Sequence, residues 1–370
     1  MVKHRYHQED RYLKTLLVGV ESPHNKTKNI DGYFGEFLNL VKTSGVPYKD
    51  VVYLRLRAVD PTFFITKGKL EELRTMCQEQ GIEHIILSET LSPNQERNIS
   101  DFLDVEVTDR TGLILDIFDK AALSAEGKAQ VAIAKFEFLK TRLAGKGIHL
   151  SQQEGAVGLR GGPGETLKEK ERRHIERTIL QHRRQLEQLG KTRTLQRKQR
   201  VTNKVPHICL IGYTNAGKST ILNTLTKSNV LAEDKLFATL DTTTRELYIG
   251  STKKGVISDT VGFIQQLPHH LIEAFKSTLS ELQYADLLLL VIDASDPDWE
   301  NHVAVVHNIL QELGVEKNIL YVFNKADKVE DIEVLERSIF RYEPNVLIDA
   351  TSKEGIEELI EFLDVWRTNS

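Results

Sequence analysis

The chain has 370 residues, 40% hydrophobic and 28% charged, a length that predicts two or three separately cored domains and a composition that excludes a disordered chain. Its two cysteines, Cys77 and Cys209, exclude a disulfide framework and a cysteine-rich zinc site, which fits a reducing, cytosolic compartment. The net charge of −4 conceals a polarised distribution: residues 165–204 carry thirteen Lys and Arg against five Glu, leaving about −12 for the remainder.

From Thr15 to Phe118, short β-rich runs alternate with helical patterns. The segments 16–20, 51–56 and 84–87 read as strands, and helices are expected to start near Phe34, Lys69 and Asn94. Strands separated by helical segments predict parallel βαβ units, hence an N-terminal α/β domain over residues 1–120. Residues 121–143 place Val131, Ala134, Phe138 and Leu139 at helical spacing and predict one long helix. The segment Gly155–Thr166 is too rich in glycine for regular structure. Beyond it, Ile175, Ile179, Leu186 and Leu189 share one helical face, with basic residues around the rest. These features predict a long helical pair over residues 121–204, with the glycine-rich segment at its tip and Arg193–Lys204 as a basic linker. Residues 205–370 suffice for one further α/β domain. The longest apolar run, Leu287–Ile292, is too short to span a bilayer. The basic stretch Met1–Tyr6 is not followed by the apolar segment of a secretion signal.

The last domain carries the chemistry. Gly212-Tyr213-Thr214-Asn215-Ala216-Gly217-Lys218-Ser219, followed by Thr220, satisfies the phosphate-loop pattern between an apolar strand and a helix start. Its backbone N–H groups are expected to wrap phosphates, with Lys218 against the β- and γ-phosphates and the Ser219 hydroxyl on Mg2+. Asn324-Lys325-Ala326-Asp327 follows a second apolar strand and identifies the nucleotide as GTP. A carboxylate at Asp327 pairs with the N1–H and 2-amino donors of guanine, Asn324 holds the loop and reaches N7, and the Lys325 stem covers the purine. Asp259-Thr260-Val261-Gly262 lies between the two motifs. Asp259 is expected to hold Mg2+ through water, and the Gly262 amide to sense the γ-phosphate. Phe237-Ala238-Thr239-Leu240-Asp241 supplies Thr239 as the candidate second hydroxyl on Mg2+, with Thr242, Thr243 and Thr244 as competitors. Lys218, Thr239 and Gly262 are thus the expected catalytic contributors to GTP hydrolysis.

These motifs and the elements between them resemble the Ras-like G domain, including a hairpin of strands 245–249 and 256–260 joined by a turn over 250–255. The resemblance implies that Ala350, within Asp349-Ala350-Thr351, offers its N–H to guanine O6, although Asp349 replaces the usual serine. It also places Phe263 where a water-orienting glutamine is usual. An apolar side chain cannot hydrogen-bond water, so slow intrinsic hydrolysis completed by a partner is expected. Asn215 stands where some potassium-activated GTPases supply an ion ligand; the alternative is an asparagine that simply suits a tight loop.

The chain as a whole resembles the HflX family. The resemblance is carried by 109–118 (DRTGLILDIF), 126–131 (EGKAQV), 161–166 (GGPGET) with Arg172-Arg173, the phosphate loop and 237–241 (FATLD). It implies a GTPase that binds the large ribosomal subunit and its rRNA and splits or rescues stalled or idle ribosomes. The glycine loop and basic helices would contact RNA. The rival readings are a ribosome-assembly checkpoint GTPase and a non-ribosomal signalling GTPase. A cytoplasmic monomer that binds no DNA is expected, with peripheral membrane association left open.

Overall fold

The apolar runs at residues 16–20, 51–56 and 84–87 form parallel strands because the helical crossovers between them bring each strand back in the same direction. A computed structural model describes residues 14–25, 27, 29–145, 167–203, 205–226, 236–237, 240, 242–266, 271 and 280–366. The chain forms two units, one of residues 1–116 and 140–168, the other of residues 117–139 and 169–370.

In the first unit, β1 (Thr15–Glu21), β2 (Asp50–Arg55), β3 (His84–Leu87) and β4 (Glu106–Thr108) form a four-stranded sheet in the order β2-β1-β3-β4, all parallel. The helices α1 (Ile30–Ser44), α2 (Lys67–Gln80) and α3 (Pro93–Leu103) start close to their expected positions. Their ends are chemically marked. Asn29 caps α1 by accepting from Gly32 N–H, Gly45 ends it at φ 72°, and Ser92 with Gln95 forms a capping box ahead of α3. Leu16, Val18 and Ile85 pack with Leu70, Leu73 and Ile99 from α2 and α3. Strand alternation turns Leu17 and Ile86 to the opposite face.

A helix α4 (Arg110–Ala121) begins at the carboxyl end of this sheet with Asp109 accepting from Gly112 N–H at 2.8 Å. Arg110 is fully buried, ion-paired with Glu36, and lies over the Tyr33 ring at 4.9 Å. Tyr33 donates to Ser88 O at 2.8 Å, and Asn25 donates to Glu89 at 3.2 Å. Burial raises the Glu89 carboxyl above its usual range, with Tyr33, Asn25 and Arg110 opposing.

The expected helix over residues 121–143 is a separate element, α5 (Ala125–Gly145), with Ser124 accepting from Gly127 N–H at 2.9 Å at its start. Leu139, expected on its apolar face, is 42% exposed. The next helix, α6, runs Leu167–Thr202, so the stretch expected to be a basic linker is helical. No proline interrupts it, and Leu195, Gln196, Arg197, Lys198, Gln199 and Arg200 are all good helix formers. Ile175 and Ile179 are buried, and Arg183 pairs with Glu137 of α5 at 2.6 Å. The glycine-rich segment 155–166 lies outside the described residues.

The remaining sheet has the order β10-β9-β8-β5-β7-β6: β5 (His207–Gly212), β6 (Thr243–Ile249), β7 (Thr252–Asp259), β8 (Leu287–Asp293), β9 (Ile319–Asn324) and β10 (Asn345–Leu347). Only the β6–β7 pair is antiparallel. The hairpin turn is shorter than expected because Thr252 and Lys253 already pair with Ile249 and Tyr248. Helices α7 (Lys218–Thr226), α8 (Trp299–Glu312), α9 (Ile332–Ile339) and α10 (Glu357–Val365) complete the described elements. The chain goes from β5 to β7 on one side and to β8 on the other, so the order reverses at β5/β8. In open α/β sheets ligands bind outside the carboxyl ends of the strands at such a point. No described helix is long and apolar enough to cross a membrane.

Candidate functional site

The phosphate-loop residues leave the carboxyl end of β5, a strand buried along its whole length. Gly212 has φ 145°, and a Cβ there would lie 2.2 Å from Val291 O on β8. Gly217 has φ 101°, and its Cβ would lie 2.1 Å from Asn324 Nδ2. Both positions therefore exclude a side chain for reasons of space as well as backbone conformation. Asn215 adopts φ 62°, a left-handed conformation that asparagine tolerates.

Lys218 opens α7 and is buried, with Nζ donating to Gly212 O at 3.1 Å and Tyr213 O at 2.7 Å. Burial pulls its ammonium down to about 8, while Asp259 acts in the opposite direction. Ser219 Oγ donates to Asp259 Oδ2 at 2.7 Å, and Asp259 is fully buried at the end of β7. A hydroxyl and a carboxylate in contact form the hard-oxygen set that suits Mg2+, an ion that ordinarily takes one or two protein ligands and completes its shell with phosphate and water. Among the described residues there is no cluster of three or more His, Cys, Asp or Glu that could hold a metal ion. Thr260 Oγ1 donates to Leu210 O at 2.7 Å and ties this segment to β5.

Asn324 fastens three loops with one side chain. Its Nδ2 donates to Ala216 O at 2.8 Å, and its Oδ1 accepts from Ala350 N–H at 3.0 Å. The Ala350 N–H expected to reach guanine O6 thus has Asn324 as its acceptor, and the Asn324 amide expected to reach N7 bonds the phosphate loop. Lys325 has φ 62° and pairs with Asp293 at the end of β8, at 2.6 Å. Asp327 is exposed in the turn that follows. Asp349 accepts from Thr351 N–H at 2.9 Å and from its hydroxyl at 2.7 Å, closing a local turn.

Thr239, Ala238 and Asp241 lie outside the described residues, whereas Phe237 and Leu240 are buried. Phe237, at φ 57°, packs edge-on against Phe118 with ring centroids 4.6 Å apart. Phe263 is 1% exposed, so its ring is committed to the core. Its N–H donates to Gly212 O at 3.1 Å and its carbonyl accepts from Thr214 N–H at 2.8 Å.

A group of residues not anticipated from the motifs surrounds this junction. The Tyr213 ring stacks on His302 of α8 at 3.8 Å and 11°, and the Tyr213 hydroxyl accepts from Gln265 N–H at 2.7 Å. Gln265 Nε2 donates to Asp298 Oδ2 at 3.3 Å. Burial lowers the His302 imidazole below its usual value, opposed by Asp296, Asp298 and Asp293. The contacts join residues 52 and 33 positions apart, and no local pattern signals them.

Family models match along most of the chain: "GTP-binding GTPase N-terminal" over residues 32–119, "GTP-binding GTPase Middle Region" over 121–200, and "50S ribosome-binding GTPase" over 207–325. The GTPase HflX of Magnetococcus marinus is 44% identical over 329 residues, covering 89% of this chain and 76% of that protein. The GTPase HflX of Escherichia coli is 42% identical over 330 residues, covering 89% and 77%. Among solved structures, a complex of SsGBP with GDP superposes with a TM-score of 0.50 at 26% identity, covering 94% of this chain and 96% of that one.

Proposed function

Because this chain belongs to the HflX GTPase family, we propose that its GTP hydrolysis is stimulated by the large ribosomal subunit and serves to split or rescue stalled and idle ribosomes. The observation that carries the reading is Phe263. Where hydrolysis calls for a side chain that orients water, this chain has a buried ring, so the site needs a partner to complete it.

In this proposal each residue has a specific task. Lys218 neutralises the β- and γ-phosphates, and the phosphate-loop amides from Asn215 to Thr220 cradle them. Ser219, with Thr239, ligates Mg2+, and Asp259 supports that ion through water. When bound, Mg2+ neutralises charge developing on the phosphate oxygens. The Gly262 amide reads the γ-phosphate, and residues 237–241 take part in nucleotide binding. Asp327 selects guanine, Lys325 flanks the base, and Asp349–Thr351 with Asn324 shape its pocket.

The partner surface is proposed on α6. Lys170, Arg172, Arg173, Arg177, Arg184 and Lys191 are exposed along it. The pairs Arg172–Glu176 and Lys191–Glu187 are long, at 3.5 and 3.8 Å, and exposed, so they leave the charge available to RNA phosphates. The double substitution Arg172→Glu/Arg173→Glu is expected to cut co-sedimentation with large subunits about tenfold or more and to flatten its salt dependence. Unchanged binding would remove α6 from the interface. Light scattering of intact ribosomes mixed with the protein and GTP tests the reaction itself. A fall in scattering supports splitting; tight large-subunit binding with constant scattering points to an assembly checkpoint instead.

A further inference from the structure

The segment that reads the γ-phosphate is fastened across the place the γ-phosphate must occupy. A Cβ on Gly262 would lie 3.0 Å from Lys218 Nζ and 2.8 Å from Thr214 Cγ2, so this backbone sits directly against the lysine head. No phosphoryl group fits between them, and the two must part before Lys218 can meet a γ-phosphate. GDP has no group that reaches that far.

Three backbone hydrogen bonds resist the parting. Two are the Phe263 bonds to Gly212 O and Thr214 N–H. The third runs from Gln265 N–H to the Tyr213 hydroxyl, and it alone depends on a side chain. The Tyr213 ring cannot swing away, because it is 7% exposed and stacked on His302. Gln265 is anchored a second time through its amide on Asp298.

We propose that Tyr213 is a specificity-determining residue of the GTP site: its hydroxyl latches residues 262–265 over the γ-phosphate position and lowers affinity for GTP relative to GDP. The latch is a property of the isolated protein and rests on the GTP-site reading alone, independent of any ribosome. It keeps the chain from committing to the triphosphate form until binding energy opens the segment.

The test is a fluorescence titration of the full chain with a non-hydrolysable GTP analogue and with GDP, without ribosomes. Tyr213→Phe keeps the ring and its stacking but removes the acceptor. One net hydrogen bond corresponds to about a three- to tenfold rise in the ratio of analogue to GDP affinity. Asp298→Ala releases the Gln265 side chain and is expected to raise the ratio about twofold. Asp298 caps no backbone N–H of α8 with its side chain but also accepts from Asn301 Nδ2 at 3.2 Å, so Asn301→Ala, which leaves Gln265 on Asp298, is the control for any effect on the helix. Structural damage would weaken both nucleotides together and lower the melting temperature; a rising ratio at an unchanged melting temperature is specific to a latch. A ratio that stays level or falls in a folded Tyr213→Phe protein overturns the proposal, and Asp298→Ala decides it if that variant does not fold. Failure of the unaltered chain to bind either nucleotide would instead overturn the site reading itself.

Discussion

Lys218→Ala is expected to lower affinity for both GTP and GDP by about two to three orders of magnitude and to abolish measurable turnover. Lys218 is the buried cation of the phosphate loop, held by the carbonyls of Gly212 and Tyr213. Two charge-assisted hydrogen bonds to phosphate, each worth about 1.5–3 kcal/mol, account for the loss. Burial already disfavours the charged lysine, so removing it lifts a cost from the folded chain. The melting temperature without nucleotide should therefore stay close to that of the unaltered protein, while stabilisation by GDP disappears. Nucleotide-dependent thermal shift measures both at once. Retention of GDP stabilisation would show that the phosphates bind elsewhere.

Asp327→Asn is expected to change which base is read. In the proposed base pocket the carboxylate accepts from two guanine donors, whereas an asparagine amide would keep one acceptor and turn a donor toward the other. Affinity for GTP should fall about a hundredfold, because a donor is left facing a donor. Xanthine carries a carbonyl where guanine carries its 2-amino group, so xanthosine triphosphate becomes the better substrate. Asp327 is exposed and leaves the fold unaffected. Competition between the two triphosphates reads the switch, and an unchanged preference for GTP would remove Asp327 from base recognition.

The features most legible in the sequence were those written in consecutive residues. The phosphate loop and Asn324–Asp327 each follow an apolar strand, so motif and secondary structure support one another. The N-terminal strands and helix starts were equally legible because their periodicity is local. What escaped the reading depends on residues far apart or on elements too short to carry a pattern. Strand β4 has three residues, Glu106–Thr108, too few for an alternation to stand out. The basic stretch after Gly190 reads as a linker by charge, yet helix-forming side chains and the lack of proline carry α6 to Thr202. The Arg110–Glu36 pair, the Phe118–Phe237 contact and the Tyr213, His302, Gln265 and Asp298 group each form only when the sheets bring their residues together. Asn324 shows the same limit within a recognised motif. That it holds the loop was legible, but its two partners, Ala216 O and Ala350 N–H, were not.

Phe263 is where the proposed function depends most directly on a partner. A buried ring at the water-orienting position leaves the phosphate-binding groups assembled without the element that directs attack. The rRNA-binding surface proposed on α6 would give the missing element a source. The direct test is GTP turnover by the full chain with and without purified large ribosomal subunits, at fixed salt. A rise in turnover of about tenfold or more on adding subunits is predicted; equal rates would contradict a ribosome-completed site.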